Sequence, residues 1–97
     1  MIRVLVLYPK SDDTKFDFDY WLNTHMPLVT ESWPALVRWE ADRGAPDSPY
    51  YAVAHLLFES MEDVGSSMGS EGGGKVMADM ANYTDARPVV AMNEVAG

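Results

Sequence analysis

The chain predicts an α+β fold in the order β-α-β-β-α-β, on three observations. Residues 2–8 and 50–58 alternate at the two-residue period of a strand, with frequent β-branched and aromatic side chains. Residues 18–29 instead repeat apolar side chains at helical spacing. The stretches between these patterns are short and rich in Pro, Gly, Asp and Ser, the residues of turns.

In the first strand Ile2, Val4, Val6 and Tyr8 alternate with Arg3, Leu5 and Leu7. Both sets are largely apolar, which predicts a strand covered on both sides. Pro9 to Lys15 is a charged connector. The following helix has Asp17 as N-cap, Asp19 in its first turn, and Phe16 and Trp21 spaced as a hydrophobic staple. Phe18, Leu22, His25 and Val29 then recur at helical spacing, flanked by Trp21 and Leu28, so the His25 imidazole is expected between helix and sheet. Pro27 has no amide to offer the Asn23 carbonyl and crowds it, which predicts a kink just after His25 and a free carbonyl at Asn23.

Pro34 ends the helix, and Leu36 to Ala41 reads as the second strand. Arg43 to Pro49 is a loop. The third strand, Tyr50 to Phe58, puts Tyr51, Val53, His55 and Leu57 on one face and Ala52, Ala54, Leu56 and Phe58 on the other. Ser60 and Asp63 resemble a capping box that opens a helix to about Met68. The run Gly69 to Gly74 is expected to break or loosen it, with Val76, Met77 and Met80 suggesting a further helical turn or two. Thr84 to Pro88 turns, and Val89 to Val95 is the fourth strand. This order is that of a ferredoxin-like domain: a four-stranded antiparallel sheet with both helices on one face. The other face, expected to carry Trp39, Tyr51, Val53 and Leu57, is too apolar to stay wet and calls for a second sheet, most simply that of another copy.

At 97 residues the chain suits one domain spanning residues 1–97. Its 47% hydrophobic and 11% aromatic content excludes disorder. A net charge of -8 argues against nucleic acid and against anionic membranes, both of which need clustered cations. With no cysteine there is no thiolate nucleophile and no disulfide. No stretch approaches the roughly 18 apolar residues of a membrane span. The first eight residues are too short for a signal segment, so a cytoplasmic location is expected.

Phe18-Asp19-Tyr20-Trp21-Leu22-Asn23-Thr24-His25-Met26-Pro27-Leu28-Val29 resembles the signature of the EthD family. The later run Ala78 to Asp85, with Pro88-Val89, resembles that family's second conserved stretch. The family is named for a protein needed to degrade ethyl tert-butyl ether, and similar fungal proteins decarboxylate or dehydrate polyketide intermediates without a cofactor. The resemblance implies a dimeric α+β barrel, in which two ferredoxin-like sheets face each other. It implies a hydrophobic, aromatic or polyketide-like small-molecule ligand, no cofactor, and His25 as the one functional residue inside the motif. Trp21 stands where Tyr is more usual and Ala81 where Pro is common; either changes a pocket more than a fold.

Two readings of His25 remain open: a core histidine hydrogen-bonded to a carbonyl, or a general acid/base whose burial keeps it neutral. In the second, His25 moves a proton in a decarboxylation, dehydration or isomerisation, and Tyr8, Trp21, Leu22, Asn23, Val29, Phe58, Met77 and Tyr83 form the substrate site. The rival function is a carrier that holds a hydrophobic metabolite for a partner oxygenase. His55 is expected at the dimer interface. The two histidines sit on separate elements, without metal-ligand spacing, so no metal site is expected. Gly69 to Lys75 has the spacing of a phosphate-binding loop, but Val76 replaces the required Ser or Thr and no strand precedes it, so a flexible lid or helix break is the better account. The acids show no paired spacing and read as solubilising charge.

Overall fold

The computed structural model describes residues 1–97. Strands β1 (Ile2–Pro9), β2 (Arg38–Arg43), β3 (Tyr50–Phe58) and β4 (Val89–Glu94) form one antiparallel sheet in the order β2-β3-β1-β4. The central places go to β1 and β3, the strands with apolar residues on both faces. The edges go to β2, most of whose side chains are charged, and to β4, whose Val89, Val90 and Met92 stay exposed. Register sets Val4 between Leu56 and Met92 on one face, and Leu5 between His55 and Ala91 on the other.

The first crossover is a continuous helical rod: α1 (Phe18–Tyr20), a π-helical segment (Trp21–His25) and α2 (Met26–Ser32). Asp17 caps it, its Oδ1 accepting the Tyr20 amide at 3.1 Å, and the Phe16 and Trp21 rings meet at 5.6 Å as a staple. Where the sequence suggests a kink, the helix passes through a π turn, and the Met26 amide reaches back five residues to the Trp21 carbonyl. A widened turn is one of the ways a helix absorbs a disturbance such as Pro27. It leaves Trp21, His25, Val29 and Trp33, each four residues apart, buried along one side, while Phe18 and Leu22 are only half buried.

The second crossover holds α3 (Met61–Met68), α4 (Glu71–Asp79) and a single 3₁₀ turn (Met80–Asn82). Ser60 and Ser70 cap the two helices, accepting the amides of Asp63 at 3.2 Å and Gly73 at 3.1 Å. The glycine run does break the helix, at Gly69-Ser70 between α3 and α4, while Gly72 to Gly74 belong to the first turn of α4 rather than to a lid. Its glycines serve close packing: a Cβ on Gly72 would lie 2.2 Å from the Ser32 carbonyl oxygen, and one on Gly73 2.2 Å from that of Met68.

Both crossovers cover the same face. The core there joins Val4, Tyr8, Ala52, Ala54, Leu56 and Phe58 of the sheet to Trp21, Met26, Val29, Val64 and Val76 of the helices. Two side chains expected on the open face are placed differently. Trp39 pairs with Leu56 and therefore points to the helix side, where its Nε1 donates to Thr30 Oγ1 at 2.9 Å. The register decides this: antiparallel pairing sets Trp39 opposite Leu56 and Glu40 opposite His55, so Trp39 shares the face of Leu56 and not that of Val53 and Leu57. Tyr51 is stacked on Phe16 at 5.5 Å, and its hydroxyl donates to the Thr14 carbonyl at 2.7 Å. Val53, His55 and Leu57 remain on the open face, in register with Leu7, Leu5 and Arg3.

Candidate functional site

The two stretches singled out in the sequence meet at one end of the helical layer. The Asp17 amide donates to the Tyr83 carbonyl at 2.7 Å, Phe16 and Thr84 form an isolated bridge, and the Thr84 hydroxyl donates to the Lys15 carbonyl at 2.6 Å. These backbone ties fix Tyr83 against the start of the first rod. The π turn delivers His25 to the same place, with the imidazole and phenol ring centres 4.6 Å apart.

A chain of polar side chains runs through this point. His25 Nδ1 lies 2.9 Å from Asp79 Oδ2. The other Asp79 oxygen accepts from the Tyr20 hydroxyl at 2.7 Å and from Asn82 Nδ2 at 3.0 Å. On the far side His25 Nε2 lies 3.3 Å from the Tyr83 hydroxyl, which lies 2.8 Å from that of Tyr8. Burial pushes the Asp79 carboxyl up, but the hydrogen bonds from Tyr20, Asn82 and His25 outweigh it and hold the pKa below the usual carboxylate value. Asp79 is therefore a carboxylate and can only accept. That puts the proton of neutral His25 on Nδ1 and a lone pair on Nε2. Burial lowers the His25 pKa below 6.5, and the pull of Asp79 in the other direction does not restore it. Burial also raises both Tyr8 and Tyr83, the latter far above its ordinary value, so both phenols stay protonated.

His25 and Tyr83 form the inner wall of a cavity of about 480 Å³ between the helices and the sheet. The rest of its lining is apolar, with Val29 and Trp33 from the first rod, Leu56 from β3, and Val76 and Met80 from the second crossover. Met77, Val90 and Met92, all exposed, form its rim. No Lys, Arg, Asp or Glu side chain lines it. The indole N–H of Trp33, like that of Trp21, is buried without a hydrogen-bond partner. A second hollow of similar volume, on the outer side of Tyr83, is lined by Lys15, Asp17, Asn82 and Asp85 and suits water better than an apolar ligand.

Of the residues assigned to the site from the sequence, His25, Val29, Met77 and Tyr83 lie on the cavity wall. Tyr8 stands behind Tyr83, its hydroxyl on the phenol oxygen rather than on the cavity. Trp21 and Phe58 are fully buried in the core, Leu22 is half buried away from the wall, and Asn23 is exposed. The π turn accounts for the last two: it carries His25 inward and leaves Leu22 and Asn23 on the flank. Asp79 and Tyr20 were missed. Asp79 lies 54 residues from His25, and its one local sign is that it shares the second stretch with Asn82 and Tyr83. No group of three or more His, Cys, Asp or Glu side chains able to hold a metal ion is present.

Residues 11–87 match the EthD domain. The chain belongs to the EthD family. An EthD-like protein from Ralstonia eutropha JMP134 superposes with a TM-score of 0.89 at 30% identity, over 99% of this chain and 92% of that one. A Rhodococcus erythropolis relative, an uncharacterised 11.0 kDa protein of the thcB-thcC intergenic region, is 35% identical over 89 residues, 86% of this chain and 84% of its own. A dimeric ferredoxin-like protein of unknown function from Thermobifida fusca shares the fold, with a TM-score of 0.72 at 12% identity over 97% of this chain and 90% of that one. The EthD segment contains the whole Asp79–His25–Tyr83 chain, and no helix is long and apolar enough to cross a membrane.

Proposed function

We propose that this EthD protein is a small enzyme that binds a hydrophobic, aromatic or polyketide-like molecule in the helix-side cavity and moves a proton on it with His25. The observation that carries the reading is an imidazole held by the Asp79 side chain at 2.9 Å on the wall of an otherwise apolar cavity. Asp79 sets the tautomer and stabilises the imidazolium that forms when Nε2 takes a proton; the low dielectric of the cavity strengthens that pairing. Only groups of the chain take part, so the step calls for no cofactor. Two copies pack through the open sheet face, where Leu5, Leu7, Val53 and Leu57 leave an apolar surface in need of cover. The Thermobifida fusca relative is likewise dimeric.

Anthrone, an aromatic ketone whose acidic methylene lies across the central ring from its carbonyl and is conjugated with it, is a suitable probe. Saturating anthrone should raise the melting midpoint, because a ligand at about 100 times its Kd adds about 2.7 kcal/mol. The protein should also speed exchange of those hydrogens with solvent deuterium, and His25→Gln should remove about 10²–10⁴-fold of that rate while the variant stays folded. Binding with no exchange in the wild type would instead make the protein a carrier, consistent with service to a partner oxygenase.

A further inference from the structure

We infer that the cavity takes an uncharged carbonyl compound and excludes carboxylates, with the Tyr83 hydroxyl binding the carbonyl oxygen while His25 Nε2 takes the proton from the neighbouring carbon. This rests on the proton-transfer reading above and narrows it, removing acids as substrates and leaving enolisable ketones and esters.

The exclusion follows from charge. A carboxylate inside this cavity would find no cation on the wall, and the nearest fixed charge is the Asp79 anion directly behind His25. The chain as a whole carries -8, which adds to the repulsion. A buried ion without a partner is far costlier than a buried neutral carbonyl that gains a hydrogen bond.

The choice of Tyr83 follows from the hydrogen-bond chain. With Asp79 ionised, Nε2 is an acceptor, so the Tyr83 hydroxyl donates to it in the empty site. That bond is long at 3.3 Å, and a ligand can displace it cheaply. Rotating its hydroxyl from Nε2 to a carbonyl oxygen does two things at once: it frees the base, and it supplies a donor where charge develops. Tyr8, at 2.8 Å, then donates to the Tyr83 oxygen and strengthens that bond, as successive hydrogen bonds polarise one another. Tyr8 is thereby a positioning residue. In the step itself the C–H bond beside the carbonyl breaks and its proton joins Nε2. The electron pair forms a carbon–carbon double bond, and the carbonyl pair moves onto the oxygen held by Tyr83. The proton then returns from Nε2 to the same carbon or to a conjugated one, which restores the base without any co-reactant.

The first test compares methyl 2-naphthoate with 2-naphthoate, two ligands of nearly the same shape, by calorimetry at pH 7.5. The ester should bind at least about tenfold more tightly. Equal or tighter binding of the acid would overturn the inference while leaving His25-dependent exchange intact. The second test follows deuterium exchange at the acidic carbon of 2-tetralone. Tyr83→Phe should lower kcat/KM by about 10²–10³-fold, as loss of an oxyanion donor does, while binding of the hydrocarbon tetralin is unchanged. Exchange undiminished in Tyr83→Phe would remove Tyr83 from the step. If neither naphthalene ligand bound and 2-tetralone did not exchange, the cavity reading itself would fall and this inference with it. The ester–acid comparison needs no variant, so a misfolded Tyr83→Phe would not rescue the idea.

Discussion

The two faces of the sheet each hold a histidine beside an aspartate, and the two pairs are not equivalent. On the helix side, His25 and Asp79 meet at 2.9 Å with side chains that are 5% and 12% exposed. On the open side, His55 and Asp42 meet at a shorter 2.6 Å, yet those side chains are 31% and 61% exposed. The closer pair has the weaker claim to chemistry. His55 lines a hollow of only about 10 Å³, too small for a substrate, and neither residue belongs to a longer chain of side chains. His25 is desolvated, its tautomer is set, and its free nitrogen meets a phenol on a cavity wall. Distance to a carboxylate does not make a base; exclusion of water and a place for a substrate do.

The contrast can be broken most directly by exchanging the histidines for glutamine. His25→Gln is expected to lose about 10²–10⁴-fold in anthrone exchange, and His55→Gln to keep the wild-type rate. A fall with His55→Gln as large as that with His25→Gln would erase the difference between the two faces. Next in size is Val53→Asp, which sets a carboxylate on the open face in register with Leu7 and Asp42. Light scattering should give a dimer for the wild type and a monomer for the variant, because a desolvated, unpaired charge in an interface costs several kcal/mol. Anthrone binding in the other layer should survive. A variant that remains dimeric would show that the copies do not meet through this face.

Acidity sharpens the same comparison more gently. Because the folded pKa of His25 lies below 6.5, the folded state resists the proton that the unfolded chain accepts. The stability this contributes is complete above pH 6.5 and falls away as pH drops through the lowered pKa. The kcat/KM of anthrone exchange should fall on its acid side with a midpoint below 6.5, and a midpoint above 6.5 would contradict the burial argument. The smallest expected effect is that of Trp39→Phe, which removes the indole bond to Thr30 and should cost about 1 kcal/mol in urea unfolding. It should leave the dimer intact, since Trp39 faces the helices; a dissociated Trp39→Phe would return that residue to the open face.

Much of the fold was legible because it is written in local periodicity. Alternation gave β3 its full extent, Tyr50 to Phe58, and Asp17 and Ser60 marked helix starts through the amides they accept. The second strand slipped because Arg38 to Arg43 is an edge strand whose charged residues resemble a loop. The glycine run was legible as the break after Met68 but not as the start of α4, because glycine disfavours a helix by itself and only the approach of Ser32 explains why Gly72 belongs in one. At the site, His25 and Tyr83 could be named from their segments. Asp79 could not, since its place in the second stretch beside Asn82 and Tyr83 does not say that it would meet a histidine 54 residues away.

The sequence by itself determined the order of elements, the family, and the histidine on the buried side of the first rod, all properties of spacing within short segments. Only the tertiary structure decided that Pro27 is absorbed as a π turn and that Trp39 faces the helices. It also decided that Asp79 and Tyr83 converge on opposite nitrogens of His25. That convergence depends on groups 54 and 58 residues away in the chain, brought together by the packing of two crossovers on one sheet. Local patterns report what a segment buries, and a site is defined by what that segment is buried against.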